Sequence, residues 1–150
     1  MNRDFRDLLA EFNVQGVDFL IVGAHALAAH GHIRATQDFD VWVRPEAENA
    51  KRVYRALQAF GAPLQDLTEA DLAIPGIVFQ IGVAPIRIDV ITAIDGVEFI
   101  EAWANRMITK FDDQPASVLS KEDLIRNKRA AGRTQDLADL ERLEGRGKKS

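Results

Sequence analysis

Apolar residues recur along the chain at two different spacings, and these spacings separate predicted helices from predicted strands. Four of them lie at helical spacing and predict an amphipathic helix over about residues 3–13: Phe5, Leu8, Leu9 and Phe12. Residues 17–23 are a short β-branched apolar run that ends at a glycine, which is typical of a buried strand. The small residues of 24–31 have high helix propensity. The chain therefore opens as helix, strand, tight turn and helix.

The next part of the chain repeats this alternation of strands and helices. Residues 37–44 form a second predicted strand. Pro45 then stands at the favoured first position of a helix, which we expect to end at Gly61. In the loop-like segment that follows, Thr68 and Asp71 have the spacing of a capping box, which predicts one short helical turn.

The second half of the chain begins with two more predicted strands. Residues 77–82 and 85–92 are apolar runs separated by only two residues, so we predict a hairpin. At the end of the chain, Ser120 opens a capping box and Gly132 breaks the helix that follows it. A final amphipathic helix is indicated by three leucines: Leu137, Leu140 and Leu143.

The composition limits the size and chemistry of the protein. With 150 residues, of which 47% are hydrophobic, we expect one domain over residues 1–150. Its core should lie at about 15–110 and its C-terminal helices at about 120–146. Cysteine is absent, which excludes disulfides and thiolate chemistry. No segment approaches the roughly 18 apolar residues of a membrane span, and the N-terminus lacks a signal-peptide pattern, so we expect a cytoplasmic protein.

Asp38 and Asp40 alternate with apolar residues along the second predicted strand, where charges are unexpected. Side chains two apart on a strand point to the same face, so both carboxylates emerge side by side. Two like charges this close repel each other unless a cation relieves them, and a divalent metal is the obvious candidate. The alternative interpretation is an edge strand with a polar side that faces solvent.

A third carboxylate, Asp89, lies on the last strand of the predicted hairpin. If Ile88 and Val90 point into the core, Asp89 shares the opposite face with Arg87 and Ile91. A salt bridge to Arg87 and a role in catalysis are both consistent with this position. Asp89 therefore repeats the pattern of the first two aspartates.

Three carboxylates beside a strand that ends at glycine supply what phosphoryl or nucleotidyl transfer requires. Carboxylates hold Mg²⁺, and the turn after Gly23 with the helix start at Ala24 presents backbone N–H groups to phosphate. A histidine cluster is the competing metal site, but a strand–helix junction directs the three histidines to different faces. We therefore interpret His25, His30 and His32 as core or surface residues.

These motifs resemble the opening of the DNA polymerase β-like nucleotidyltransferase superfamily. Its pattern is a strand ending in Gly-Gly or Gly-Ser, a small-residue helix, Arg-x-Thr-x-Asp-x-Asp and a later aspartate on a strand. Residues 22–31 match it, followed by Arg34, Thr36, Asp38 and Asp40. With segment 120–140 included, the chain more narrowly resembles minimal bacterial nucleotidyltransferases, such as the toxin components of abortive-infection (AbiEii-like) toxin/antitoxin systems. The matches cover most of residues 17–140.

The resemblance implies an α/β (α+β) nucleotidyltransferase fold, in which helices flank a small twisted mixed sheet and a short helical pair ends the chain. It implies transfer of a nucleoside monophosphate from a nucleoside triphosphate, such as ATP, to a hydroxyl acceptor, with Mg²⁺ or Mn²⁺ as cofactor. Asp38, Asp40 and Asp89 would be the catalytic residues and the metal ligands. The residues implied to bind the nucleotide are Gly23, Ala24, Arg34, Thr36, Lys128 and Arg133.

The acceptor and the partners follow from the resemblance only in outline. Relatives modify tRNA ends, protein side chains or small antibiotics, and a toxin would need a cognate antitoxin. The net charge is −4, but residues 121–150 carry a basic excess, which favours tRNA slightly; a solvated helix face explains it equally well. For Lys128 and Arg133 the alternative is likewise a surface charge.

Two other functions compete with catalytic transfer. Ala24 stands where many relatives have a serine, so a degenerate protein that only binds a nucleotide or a partner is one alternative. A metal-dependent hydrolase is the other, although it would leave the Gly23 turn, Arg34 and Thr36 unexplained.

Overall fold

Seven helices and six strands are formed by residues 2–33, 38–83 and 86–145, the parts of the chain that the computed structural model describes. In the first half these are α1 (Arg3–Gln15), β1 (Phe19–Val22), α2 (Gly23–Ala29), β2 (Asp38–Val43), α3 (Ala47–Phe60) and α4 (Glu69–Leu72). In the second half they are β3 (Val78–Val83), β4 (Ile86–Ile91), α5 (Phe99–Ala104), β5 (Met107–Phe111), β6 (Gln114–Val118), α6 (Lys121–Ala131) and α7 (Thr134–Glu144). Within the described ranges, no helix has the length and apolar character needed to cross a membrane.

The six strands form one mixed sheet in the order β3-β4-β2-β1-β6-β5. β2 pairs antiparallel with β1 and parallel with β4, while β3 and β4 form the predicted antiparallel hairpin. Helices flank this sheet, so the α/β fold class expected from the sequence is confirmed. The topology places β2 at the centre and makes the two predicted acidic strands direct neighbours.

The hydrophobic core is built around β2 and β1. Phe39, Val41 and Val43 on one face of β2, and Trp42 on the other, are all at most 1% exposed. The four apolar residues of α1 named above pack into the same core, together with the apolar face of α3. Because β2 is central and buried on both faces, Asp38 and Asp40 do not belong to a solvent-facing edge strand, and that alternative is wrong.

Three details of the elements differ from the sequence prediction. α3 begins at Ala47 and not at Pro45, because hydrogen bonds from the Asn49 amide to the Asp18 and Arg44 carbonyls, 3.0 Å each, hold the chain extended up to Glu46. Leu137, predicted on the apolar face of the last helix, is exposed. The segment that forms α5, β5 and β6 was not predicted at all.

Candidate active site

Three aspartates and one arginine share one face of the paired strands β2 and β4. In the parallel register Asp38 lies opposite Arg87, and Asp40 lies opposite Asp89. Since alternate residues of a strand point to the same side, all four side chains emerge together. They line an open cavity of about 310 Å³ that is also bordered by the β1–α2 turn and by α6 and α7. The structure therefore brings together the three carboxylates singled out in the sequence.

Gly23, at the junction of β1 and α2, makes room for Asp40. Its backbone has φ +68°, a left-handed conformation that favours glycine. A Cβ atom added here would lie 3.2 Å from Cγ and 3.3 Å from Cβ of Asp40, and closer still to its carboxylate oxygen. Asp40 therefore packs directly on the turn, which only glycine permits. Ala24 follows in the wall of the same cavity.

The environment of Asp40 disfavours its charged form. Burial is the largest cause, and the negative charges of Asp89 and Asp38 add to it; together they raise the pKa of Asp40 to about 6. A side-chain hydrogen bond between Asp40 and Asp89 acts in the same direction, while the charge of Arg87 opposes the shift. The protein alone thus leaves part of the negative charge in this cavity without compensation.

Arg87 forms a fork on Asp89. Its Nε lies 3.0 Å from Oδ1 and its Nη2 lies 3.2 Å from Oδ2 of Asp89, and the same Nη2 lies 3.4 Å from Oδ2 of Asp38. The hydrogen bond to Asp89 is the main cause that raises the pKa of Arg87 above its ordinary value. The salt bridge considered from the sequence is therefore present. It lies within the acidic cluster, so it does not separate Asp89 from the other two aspartates.

The chemistry of this cluster fits a divalent cation. Mg²⁺ and Mn²⁺ prefer oxygen ligands, and three carboxylates on one sheet face, one of them with a raised pKa, supply such ligands. As the described residues stand, however, no three His, Asp or Glu side chains surround a single ion position. The guanidinium of Arg87 contacts both Asp38 and Asp89 and thereby stands between them. Asp38, Asp40 and Asp89 are the residues that would hold the metal.

His25 packs against the start of β2. Its ring packs edge-on against Phe5 and Phe39, with ring centroids 5.5 and 5.1 Å apart, and it hydrogen-bonds to the backbone of Asp38. Burial lowers the pKa of His25, and the hydrogen bond to Asp38 acts against this shift. His30 binds elsewhere, with Nε2 2.8 Å from the Leu119 carbonyl oxygen. The interpretation of these two histidines as packing residues agrees with their surroundings.

Lys128 lies in the cavity wall but is held by two aspartates of α7. The residue is 4% exposed, and its Nζ lies 3.3 Å from Oδ1 of Asp136 and 3.2 Å from Oδ2 of Asp139. Burial acts to raise the pKa of Asp136, but the hydrogen bond from Arg133 and the charge of Lys128 outweigh it, so the pKa is lowered. The buried ion pairs fasten α6 to α7, so Lys128 is more than the surface charge considered above.

Arg133, in the turn between α6 and α7, differs from Lys128 in its exposure. Its side chain is 78% exposed, although Nε lies 2.6 Å from Oδ2 of Asp136. It lines the main cavity and also a second cavity of about 190 Å³ on the other side of Gly23 and Asp40. Among the cations of this wall, Arg133 is therefore the more accessible one. Arg133 and Asp136 form an (i, i+3) pair at the start of α7.

The second cavity adds residues that the sequence did not indicate. Asp95 and Asn127 line it, and the Asn127 amide donates a 3.0 Å hydrogen bond to the Asp95 carbonyl. A Cβ at Gly96 would lie 2.6 Å from Cβ of Ala130, so the loop after β4 packs closely on α6. No local motif reveals these contacts. Two predicted site residues, Arg34 and Thr36, lie outside the described residues.

Comparison with known proteins identifies a family and a similar fold. Residues 4–144 match the sequence profile of a family described as a nucleotidyltransferase of unknown function (DUF6036). The fold is similar to the crystal structure of a proposed nucleotidyltransferase from Thermotoga maritima, with a TM-score of 0.64 and 13% sequence identity over 96% of this chain and 92% of that chain. At this identity the likeness concerns the fold alone. No curated protein sequence matches the chain significantly.

Proposed function

Because the chain belongs to this nucleotidyltransferase family, we propose that it transfers a nucleoside monophosphate from a nucleoside triphosphate to a hydroxyl acceptor in a metal-dependent reaction. The observation that carries the proposal is the convergence of Asp38, Asp40 and Asp89 on one sheet face beside the Gly23 turn. A structural ion-pair cluster would not need the cavity of about 310 Å³ that these residues share.

In the proposed reaction the acceptor oxygen attacks the α-phosphorus in line. The new O–P bond forms as the bond from the α-phosphorus to the bridging oxygen breaks, and pyrophosphate leaves. When bound, Mg²⁺ or Mn²⁺ would supply positive charge that neutralises the triphosphate and stabilises the attacking and leaving oxygens. Asp38 and Asp40 would hold the cation on the nucleotide. Asp89 with Asp38 would hold a second cation, and Asp89 would help to activate the acceptor hydroxyl by taking its proton.

The triphosphate lies between the β1–α2 turn and the C-terminal helices. Gly23 keeps side-chain atoms out of this turn, so that phosphate oxygens can approach the backbone. Arg133 contacts the phosphates, because it is exposed and lines both cavities. Lys128 contributes its positive charge from within the wall, while its ammonium stays bonded to Asp136 and Asp139.

The acceptor is a tRNA or a protein hydroxyl. The basic excess in residues 121–150 supports a polyanionic acceptor, because lysine and arginine side chains bind phosphates. As part of this proposal, the protein acts as the toxin of a toxin/antitoxin pair and is neutralised by a cognate antitoxin. This part rests on the resemblance of the sequence alone.

One observation favours a second candidate function. Ala24 offers a methyl group to the cavity where many relatives have a serine hydroxyl, so the phosphate contact of that hydroxyl is missing. A protein that binds a nucleotide or a partner without transfer would tolerate this loss. The two candidates differ in one measurable respect, which is whether a bound triphosphate is consumed.

The first experiment is calorimetric titration of non-hydrolysable triphosphates in the presence of Mg²⁺. We expect the wild type to bind and the double variant Asp38→Ala/Asp40→Ala to lose binding. Glu48→Ala, which removes an exposed carboxylate from α3, is the matched control and should bind like the wild type.

Transfer is then measured with α-³²P-labelled triphosphates and mixtures of tRNA or protein. Label on an acceptor supports transferase activity and also identifies the acceptor class. Binding without transfer supports the second candidate function. Absence of any nucleotide binding by the wild type contradicts the transferase proposal and leaves only partner binding from the second candidate function.

A further inference from the structure

Arg87 stands where a metal ion would have to enter the acidic cluster. Its fork uses both carboxylate oxygens of Asp89, and its Nη2 also reaches Asp38. A carboxylate offers about four lone-pair positions, and the bidentate arginine uses one on each oxygen of Asp89. A cation bound by Asp38 and Asp89 therefore competes with Arg87 for the same oxygens.

We propose that Arg87 is a resident counter-cation, which pairs with Asp38 and Asp89 in the metal-free protein and leaves the cluster when a divalent ion binds. This inference rests on the proposed function, because it takes the three aspartates as the metal ligands. It adds a role for a residue that has no part in the transfer step described above.

The burial pattern permits such an exchange. Asp89 is less accessible than its two neighbours in the fork: 13% of its side chain is exposed, compared with 33% of the Arg87 side chain and 46% of the Asp38 side chain. Arg87 is the second residue of β4, near the cavity rim, and its long side chain can rotate into solvent without a change of the backbone. The carboxylates stay fixed while the cation beside them changes.

Charge interactions favour Arg87 in the cluster without metal and outside the cluster with metal. Without metal, the guanidinium relieves the repulsion among three carboxylates on neighbouring strands. Once a divalent cation lies among the same oxygens, Arg87 faces a like charge at a distance of a few ångströms and loses its hydrogen-bond acceptors. Metal and guanidinium thus exclude each other, and the protein remains paired and stable when no metal is present.

The test compares Mn²⁺ binding by the wild type, Arg87→Met and Arg87→Lys, measured by the electron paramagnetic resonance signal of free Mn²⁺. We expect Arg87→Met to bind Mn²⁺ about tenfold more tightly, because both the competing fork and the repelling charge are removed. Arg87→Lys keeps the charge but not the fork, so its affinity should lie between the two.

Arg6→Met is the matched control. Arg6 makes the same type of fork on Asp113, with Nε 3.0 Å from Oδ1 and Nη2 2.8 Å from Oδ2, in the turn between β5 and β6 at the other edge of the sheet. Its removal should leave the Mn²⁺ affinity unchanged. A change as large as that of Arg87→Met would show that the effect is not local and would overturn the inference.

A second measurement follows Arg87 in the wild type itself. The Nε–Hε resonance of Arg87, assigned by its loss in Arg87→Lys, should shift and exchange faster with water when Mg²⁺ is added. An unchanged resonance at saturating Mg²⁺ would overturn the exchange.

The results separate this inference from the proposed function. If the wild type binds Mn²⁺ and Arg87→Met binds it no more tightly, the inference fails and the metal site stands. If Arg87→Met binds more tightly but no nucleotide is bound or transferred, the exchange stands and the transferase proposal fails. If neither protein binds Mn²⁺, both fail.

Discussion

Asp40 packs against the backbone of Gly23 and fills the space that a side chain at position 23 would need: a Cβ atom there would lie 3.2 Å from Cγ of Asp40. The contact exists because Val22, the last residue of β1, pairs with Asp40 in the antiparallel register, which brings the start of α2 over the aspartate. The glycine therefore serves the central carboxylate directly, in addition to its role in the backbone turn.

We predict that Gly23→Ala lowers stability and weakens Mn²⁺ binding together. The positive φ costs an alanine about 1 kcal/mol, and the contact with Asp40 adds roughly 1–2 kcal/mol and moves the carboxylate. Gly16→Ala is the control, since Gly16 has nearly the same φ, +69°, but nothing within 4 Å of an added Cβ. Urea unfolding and Mn²⁺ titration check both variants. Equal losses of metal affinity in the two would contradict the role of the contact.

The pKa of Asp40 predicts a pH dependence of the metal-free protein. Because the pKa is about 6 in the folded state and about 4 in the unfolded chain, the folded state binds the proton more tightly. The contribution of this proton to the free energy of unfolding is complete below pH 4 and is lost as the pH rises through 6, with a total of about 3 kcal/mol. Relative to Asp40→Asn, which stays neutral, the wild type should lose stability between pH 4 and 7 in a chelator. Parallel stability curves would contradict this assignment.

The acidic face was predictable because strand periodicity is a local property. The spacing of Asp38 and Asp40, and the position of Asp89 among apolar neighbours, place the carboxylates on defined faces. What brings the two strands together is the parallel pairing of β2 with β4, which depends on contacts distant in sequence. The contact of Arg87 with Asp38 follows from that register, and the contact between Gly23 and Asp40 follows from the antiparallel pairing of β1 with β2, so neither was predictable. The salt bridge between Arg87 and Asp89 lies within β4, and the sequence already allowed it.

The sequence did not predict α5, β5 and β6 because their local residue patterns do not mark a buried face or a strand. Ile100 in α5 and Ile108 in β5 are exposed, so their apolar character does not mark a buried face. β5 is an edge strand, and β6 contains Pro115, which argues against a strand when the sequence is taken alone. Lys128 is a lysine on a helix, and only the fold reveals that it is buried against α7.

His25 should act on the metal site through the backbone of Asp38. His25→Phe keeps an aromatic ring against Phe5 and Phe39 but loses the hydrogen bond, so we expect a stability change of about 1 kcal/mol and roughly tenfold weaker Mn²⁺ binding. His30→Gln, which alters the bond to the Leu119 carbonyl, serves as the control and should leave the affinity unchanged. Calorimetric titration measures the affinity; an unaltered value for His25→Phe would assign His25 to packing alone.

Lys128 is expected to matter first for folding. Lys128→Met leaves Asp136 and Asp139 buried without their cation, which should cost about 3–5 kcal/mol. Adding Asp136→Asn and Asp139→Asn to the same variant removes the uncompensated charges and should restore part of the stability. Thermal and urea unfolding measure both steps. A small loss in the single variant would show that the ion pairs do not hold α6 and α7 together.

In contrast to Lys128, Arg133 should matter for nucleotide binding more than for stability, because its side chain is exposed and borders both cavities. Arg133→Met is expected to cost less than about 1 kcal/mol of stability, yet to weaken binding of a non-hydrolysable triphosphate about tenfold through loss of a phosphate contact. Arg129→Met, which removes an exposed ion pair of 2.7 Å with Glu144, is the matched control and should bind the triphosphate normally. If both variants bind like the wild type, the triphosphate does not contact the α6–α7 turn. Its phosphates would then have to be held by the β1–α2 turn and the metal ligands alone.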